Sequence, residues 1–128
     1  MNANASPPNA ESATELSLDE AVRYAIGLQR SRQLDAAETL YRRVLQSAPE
    51  HPDALHYLGL LTFQRGRADQ AVALLERAAA RVPDYPDFHS NLGNVFTALG
   101  RVAEAADSYA RALALDPQRA DFHNNLGV

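Results

Sequence analysis

The feature that most restricts this chain is a repeat of 34 residues. Prolines stand at Pro49, Pro83 and Pro117, and alanines at Ala37, Ala71 and Ala105. Leu-Gly pairs stand at Leu58-Gly59, Leu92-Gly93 and Leu126-Gly127, and each of the three series advances by 34 positions. The pairs Gly66-Arg67 and Gly100-Arg101 keep the same step. Four independent landmarks on one period point to stacked copies of a single supersecondary unit, each too small to bury its apolar face alone.

Within a unit the pattern is helical twice over. Ala54, Leu55, Leu58, Leu61 and Thr62 fall close to the i, i+3, i+4, i+7 stripe of one helix. A second apolar set follows at Ala71, Val72, Leu74, Leu75, Ala78 and Ala79. Gly66 and Gly100 lie between such stretches, where a tight turn calls for a residue that accepts positive φ. Pro83 and Pro117 end the second helix, because proline cannot continue the hydrogen-bond ladder. Pro52 and Pro86 suit a first helical position. Ser17 with Glu20, and Asp35 with Glu38, have the spacing of a capping box. Gly59 and Gly93 mark the close approach of the paired helices, with Ala25 in that place in the first unit. Leu75 and Tyr109 fill the gap beside the glycines.

These signals predict helices over 18–31, 35–47, 52–65, 69–81, 86–99 and 103–115, with a seventh starting near 120. The expected fold is all-α: a right-handed superhelical array of antiparallel helix-turn-helix hairpins, with three units and a partial fourth. The units span 18–51, 52–85, 86–119 and 120–128, behind an N-terminal tail of 1–17. The start of that tail is mostly Asn, Ala, Ser and Pro. It lacks the basic and apolar regions of a secretory signal and is expected to be disordered.

Composition excludes several function classes. A net charge of −4 lacks the basic excess of a nucleic-acid surface. The chain has no cysteine, which removes disulfides, thiolate metal sites and cysteine nucleophiles. No apolar run approaches the roughly 18 residues of a membrane span, so a cytoplasmic location is expected. His51, His56, His89 and His123 do not form a converging ligand set, so no metal or cofactor is expected. GxSxG, HExxH and P-loop motifs are all missing, and the chain reads as non-catalytic.

The repeat resembles the tetratricopeptide pattern W-x2-L-G-x2-Y…A-x3-F…P. Leu58, Gly59, Ala71, Leu75 and Pro83 match it, and Leu92, Gly93, Phe96, Ala105, Tyr109 and Pro117 match it more fully. In the first unit Tyr24-Ala25 replaces Leu-Gly, and Arg32 replaces the turn glycine. Leu55, His89 and His123 stand in the place of the tryptophan. The Asn-Leu-Gly triplets at Asn91 and Asn125 look like those of O-linked N-acetylglucosamine transferases and their bacterial relatives. In that subfamily this asparagine lies on the inner surface and holds the backbone of a bound peptide. The resemblance therefore implies that role for Asn91 and Asn125, while Tyr57 and Arg23 interrupt the ladder in earlier units. Co-chaperones of the same family that grip chaperone C-termini carry inward basic residues. Val22, His56, Ser90 and Asn124 occupy those places here, which argues against that ligand.

In such arrays the first helices line the concave face. The candidate peptide-binding residues are Asp53, His56, Leu60, Phe63, Asp87, Ser90, Asn91, Asn94, Thr97, Asn124 and Asn125, with Gln64 and Asp121 on the same row. A mixed surface of this kind suits an extended peptide or a partner helix. Ile26 and Leu60 read equally as a side-chain pocket or as core. The recurring Asp19, Asp53, Asp87 and Asp121 read as first-turn acids worth about 0.3–1 kcal/mol each, or as a column attracting a basic ligand. Arg43, Arg77 and Arg111 recur near the ends of second helices, where they would complement the helix dipole.

The expected function is a protein-interaction scaffold that binds a peptide or partner helix in its groove. The alternative is the N-terminal recognition arm of a larger glycosyltransferase-like enzyme. Val128 falls inside a fourth unit, leaving Phe122 and Leu126 without a second helix. Either the array continues in a longer protein, or this end self-associates with another copy.

Overall fold

A computed structural model of the chain describes residues 16–118. These residues form six helices: α1 (Leu18–Arg30), α2 (Leu34–Ser47), α3 (Pro52–Gln64), α4 (Ala68–Arg81), α5 (Pro86–Ala98) and α6 (Val102–Leu115). Among the described residues there is no strand. The expected seventh helix, with Asn124 and Asn125, and the tail before Leu16 lie outside the described residues.

The turns inside the hairpins share one geometry. Gly66 has φ 84° and Gly100 has φ 75°. The Arg67 N–H reaches back to the Thr62 carbonyl at 3.0 Å, and the Gly66 N–H to that of Phe63 at 2.9 Å. Arg101 and Gly100 repeat these bonds to Phe96 and Thr97. This is a Schellman arrangement, which satisfies carbonyls left over at the helix end. The first unit builds the same turn without glycine: Arg32 has φ 70°, and Gln33 bonds back to Leu28 at 2.8 Å.

A side chain in the left-handed region costs about 1–2 kcal/mol. Arg32→Gly is therefore expected to stabilise the array by about 1 kcal/mol, and Gly66→Ala or Gly100→Ala to destabilise it by a similar amount. An added Cβ at either glycine meets nothing within 4 Å, so the penalty isolates backbone geometry. Urea denaturation measures all three. A loss of stability in Arg32→Gly would contradict the account.

Each first helix ends one residue earlier than the sequence spacing predicts, and each second helix begins one residue earlier. The reason is the left-handed residue, after which the chain re-enters helix within two residues. This displaces one expected feature. The Ser17–Glu20 capping box forms, with both bonds at 3.0 Å. The Asp35–Glu38 box does not, because α2 starts at Leu34 behind Gln33, which makes no side-chain cap. Asp35 is already inside the helix. Its carboxylate accepts instead from Arg65 at 2.6 Å, and Glu38 accepts from the same guanidinium at 3.1 Å. Those bonds tie the first hairpin to the end of α3.

Consecutive helices pack as antiparallel pairs α1/α2, α3/α4 and α5/α6, and the pairs stack through α2 on α3 and α4 on α5. Gly59 and Gly93 permit the close approach. A Cβ on Gly59 would lie 2.8 Å from Leu75, and one on Gly93 would lie 2.5 Å from the Tyr109 ring. The core forms two clusters, one mainly around the first hairpin and α3 and one around the second and third hairpins, and the partly buried Leu45 and Leu74 pack against both. Tyr41, Leu55, Leu58, Leu61, Leu75, Phe88 and Val95 are its large fully buried members. The first helices also touch one another, α1 to α3 and α3 to α5, whereas the second helices make no comparable contacts. The closer spacing of α1, α3 and α5 places them on the inner side of the curve.

Candidate functional site

The inner layer carries a cluster centred on His56 and Asn91, one repeat apart. Asn91 is half-buried on α5, and its amide nitrogen lies 2.9 Å from Nε2 of His56 on α3. An amide –NH2 can only donate, so Nε2 accepts and the imidazole proton sits on Nδ1. The ring is almost sealed, with 3% of its surface exposed. Tyr57 meets it edge-on at 4.9 Å, and Phe88 lies against it at 4.5 Å. Burial pushes the His56 pKa down to about 4, against a weaker opposing pull from the Asp87 carboxylate. The imidazole is therefore neutral at physiological pH. Nδ1 is buried and finds no hydrogen-bond partner among the described residues.

An aromatic and acidic rim adjoins this pair. Tyr85 packs edge-on to Phe88 at 4.7 Å and leaves 45% of its surface exposed. Its hydroxyl is pushed to higher pKa, first by burial and then by the carboxylate of Asp87, by Tyr57 and by Asp53. Asp53 is exposed and Asp87 half-buried. Sequence reasoning placed Tyr57 in the ladder row without making it a site residue, and it missed Tyr85. Their signal was position: Tyr57 precedes Leu58-Gly59, and Tyr85 precedes the first-position Pro86.

The other expected residues are placed differently. Asn94 turns toward α6, where its Oδ1 accepts from the Tyr109 hydroxyl at 2.6 Å. Thr97 donates back to the Gly93 carbonyl at 2.8 Å and lies 3.4 Å from the same hydroxyl. Ser90 is buried. Ile26, Leu60 and Phe63 are half-buried and pack against the core, so they join interior and inner face. Gln64 bonds across to Gln29 at 3.2 Å, and Gln29 accepts from Tyr41 at 2.7 Å.

Asp19, Asp53 and Asp87 stand in the first turns of their helices, as expected of dipole partners, and Asp19 and Arg77 also tie hairpins together. His51 accepts the Ala54 N–H through Nδ1 at 3.2 Å, which caps α3. Its Nε2–H then donates to Asp19 of α1 at 2.9 Å. Arg77 donates to the Pro49 carbonyl at 2.8 Å and to Glu50 at 3.3 Å, both in the preceding connection. Arg111 pairs with Asp107 in its own helix at 3.2 Å.

A second hollow, of about 540 Å³, opens on the outer side between α4 and α6, over Leu92 and Phe96. Ala79 and Ser108 line it. In the preceding gap the equivalent places hold Leu45 and Leu74, which are partly buried against the core. Small side chains thus leave this gap open where large ones fill its neighbour.

The tetratricopeptide-repeat family pattern matches residues 23–86 and 58–120. This chain belongs to the tetratricopeptide-repeat family. A mutant O-GlcNAc transferase of Thermobaculum terrenum is 36% identical with a TM-score of 0.81, over 95% of this chain and 22% of that one. MamA of strain AMB-1 is 31% identical with a TM-score of 0.74, over 89% of this chain and 62% of that one. The first such domain of Spaghetti, solved with an HSP90 peptide, is 21% identical with a TM-score of 0.81, over 86% of this chain and 87% of that one. That last likeness shows the fold alone. No curated protein matches the chain. The chain spans about a fifth of the transferase and under two thirds of MamA.

As a tetratricopeptide array the molecule is a protein-interaction scaffold. No helix among the described residues is long and apolar enough to cross a membrane.

Proposed function

We propose that the array binds an extended segment of a partner polypeptide along its inner face, with Asn91 as a main-chain contact. The observation that supports this reading is the half-buried Asn91 amide, whose bond to His56 uses one of its two N–H groups. The rim of Tyr57, Tyr85, Asp53 and Asp87 offers neighbouring contacts for side chains. Selection of twelve-residue peptides from a random display library, followed by calorimetry, tests the reading. Loss of one such contact in Asn91→Ala is expected to weaken a selected peptide about tenfold. Equal binding by Asn91→Ala and wild type would remove Asn91 from the site. Asn94→Ala is expected to act through stability instead, because Asn94 is bonded to Tyr109.

A second reading is favoured by the 36% identity with the repeat region of an O-GlcNAc transferase. In it, this array is the substrate-recognition arm of a larger glycosyltransferase-like enzyme. Sequencing the gene past Val128 decides: a long downstream domain supports the arm, whereas a stop or a few more repeats supports the free-standing scaffold.

A further inference from the structure

We propose that His56 is a positioning residue, whose unprotonated Nε2 fixes the Asn91 amide so that one N–H and the carbonyl oxygen face a bound main chain together. This rests on the reading of Asn91 as a main-chain contact. An asparagine amide on an open surface samples both orientations about its last torsion, and a ligand must then freeze the correct one. Here one N–H is already committed to Nε2 at 2.9 Å. The remaining N–H and the two lone pairs of Oδ1 are the complement of an extended residue, which offers a C=O and an N–H side by side. Fixing the donor and acceptor in advance lowers the entropy that binding must overcome.

The surroundings of His56 point to this role rather than to packing alone. The ring is 3% exposed and lies against Tyr57 and Phe88, a place that an aromatic hydrocarbon would fill. A phenylalanine there would leave no polar atom behind. The histidine leaves Nδ1–H buried without a partner among the described residues, a state that is unfavourable for folding. The tautomer with the proton on Nδ1 is the one that keeps Nε2 free to accept from Asn91. What the ring loses at one nitrogen is matched by what the other nitrogen does for its neighbour.

Two variants separate positioning from packing. His56→Phe keeps the aromatic filling and removes the acceptor. His56→Gln restores an acceptor oxygen on a flexible side chain. The probe is a capped ten-residue peptide of alternating alanine and serine, which offers main-chain amides and little else. It is titrated at millimolar concentration into the 15N-labelled chain while the Asn91 side-chain amide signals are followed. His56→Phe is expected to be as stable as wild type or more so, yet to bind about fivefold more weakly. His56→Gln is expected to recover most of that loss. Unchanged binding in His56→Phe overturns the positioning role. If Asn91→Ala also binds unchanged, the groove reading falls with it; if Asn91→Ala weakens binding while His56→Phe does not, only the positioning role falls. A ligand-free measurement adds an independent check. The imidazole 15N shifts must show Nε2 unprotonated and Nδ1 protonated, and the reverse tautomer overturns the proposal.

Discussion

Acidification from about pH 7 to about pH 4 is expected to cost the folded array about 3 kcal/mol through His56 alone. The folded-state pKa lies near 4, against an ordinary histidine value of 6.5, because burial disfavours the charged ring. As pH falls through 6.5 the unfolded chain takes up a proton that the folded chain refuses. The stabilisation is therefore full above 6.5, declines through the interval, and is gone once pH reaches the folded value. The Ser17 backbone N–H and the Arg101 guanidinium hold the Glu20 and Glu104 carboxyls below their usual range of about 4.5, so their contributions are lost in a lower window. Urea midpoints for wild type and His56→Phe isolate the histidine. The two should diverge in acid, with the variant losing less. Parallel curves between pH 7 and pH 4 would refute the assignment.

Gly93→Ala is expected to destabilise the protein by about 2 kcal/mol, against the usual sign of such a change. In a helix interior alanine is favoured over glycine by about 1 kcal/mol. Here the new methyl would lie 2.5 Å and 2.6 Å from two carbons of the Tyr109 ring. That ring cannot simply turn aside, because its hydroxyl donates to Asn94 at 2.6 Å. Gly59→Ala meets Leu75 at 2.8 Å, a side chain with more freedom to rotate, and should lose less. A double-mutant cycle tests the cause: in a Tyr109→Ala background, Gly93→Ala should become neutral or stabilising. A stabilised Gly93→Ala in the wild-type background would show that α5 and α6 can separate at little cost.

The hairpins were legible because their punctuation is chemical. Proline at the first helical position, glycine at the left-handed turn and glycine at the close approach each answer a steric requirement of the residue itself. What was not legible depends on partners far along the chain. Asp35 and Glu38 have the spacing of a cap, but spacing does not say where the helix begins; Arg32 decides that by taking φ 70°. Their carboxylates then serve Arg65, about one repeat away. His51 shows no capping motif, yet the proline after it leaves a helix start that its ring nitrogen can reach. On the inner face, period alone assigned Asn94 and Thr97 to the surface. Tyr109, on the other helix of the same hairpin, engages Asn94 through a hydrogen bond, whereas Thr97 stays exposed with its hydroxyl bonded back to Gly93. The pairing of His56 with Asn91 was equally hidden, since each residue lay within the row but nothing in the spacing joined them. The expectation of dipole partners at Arg77 failed for a similar reason: its length lets it reach the preceding connection.

Every substantial helix contact joins an element to its next or next-but-one neighbour along the chain. Among the described residues no substantial contact staples the first hairpin directly to the third, so a pulling force is resisted one interface at a time. A polypeptide lying along α1, α3 and α5 would be the missing staple. It would act as a splint, turning a compliant spring into a stiffer rod for as long as it stayed in place.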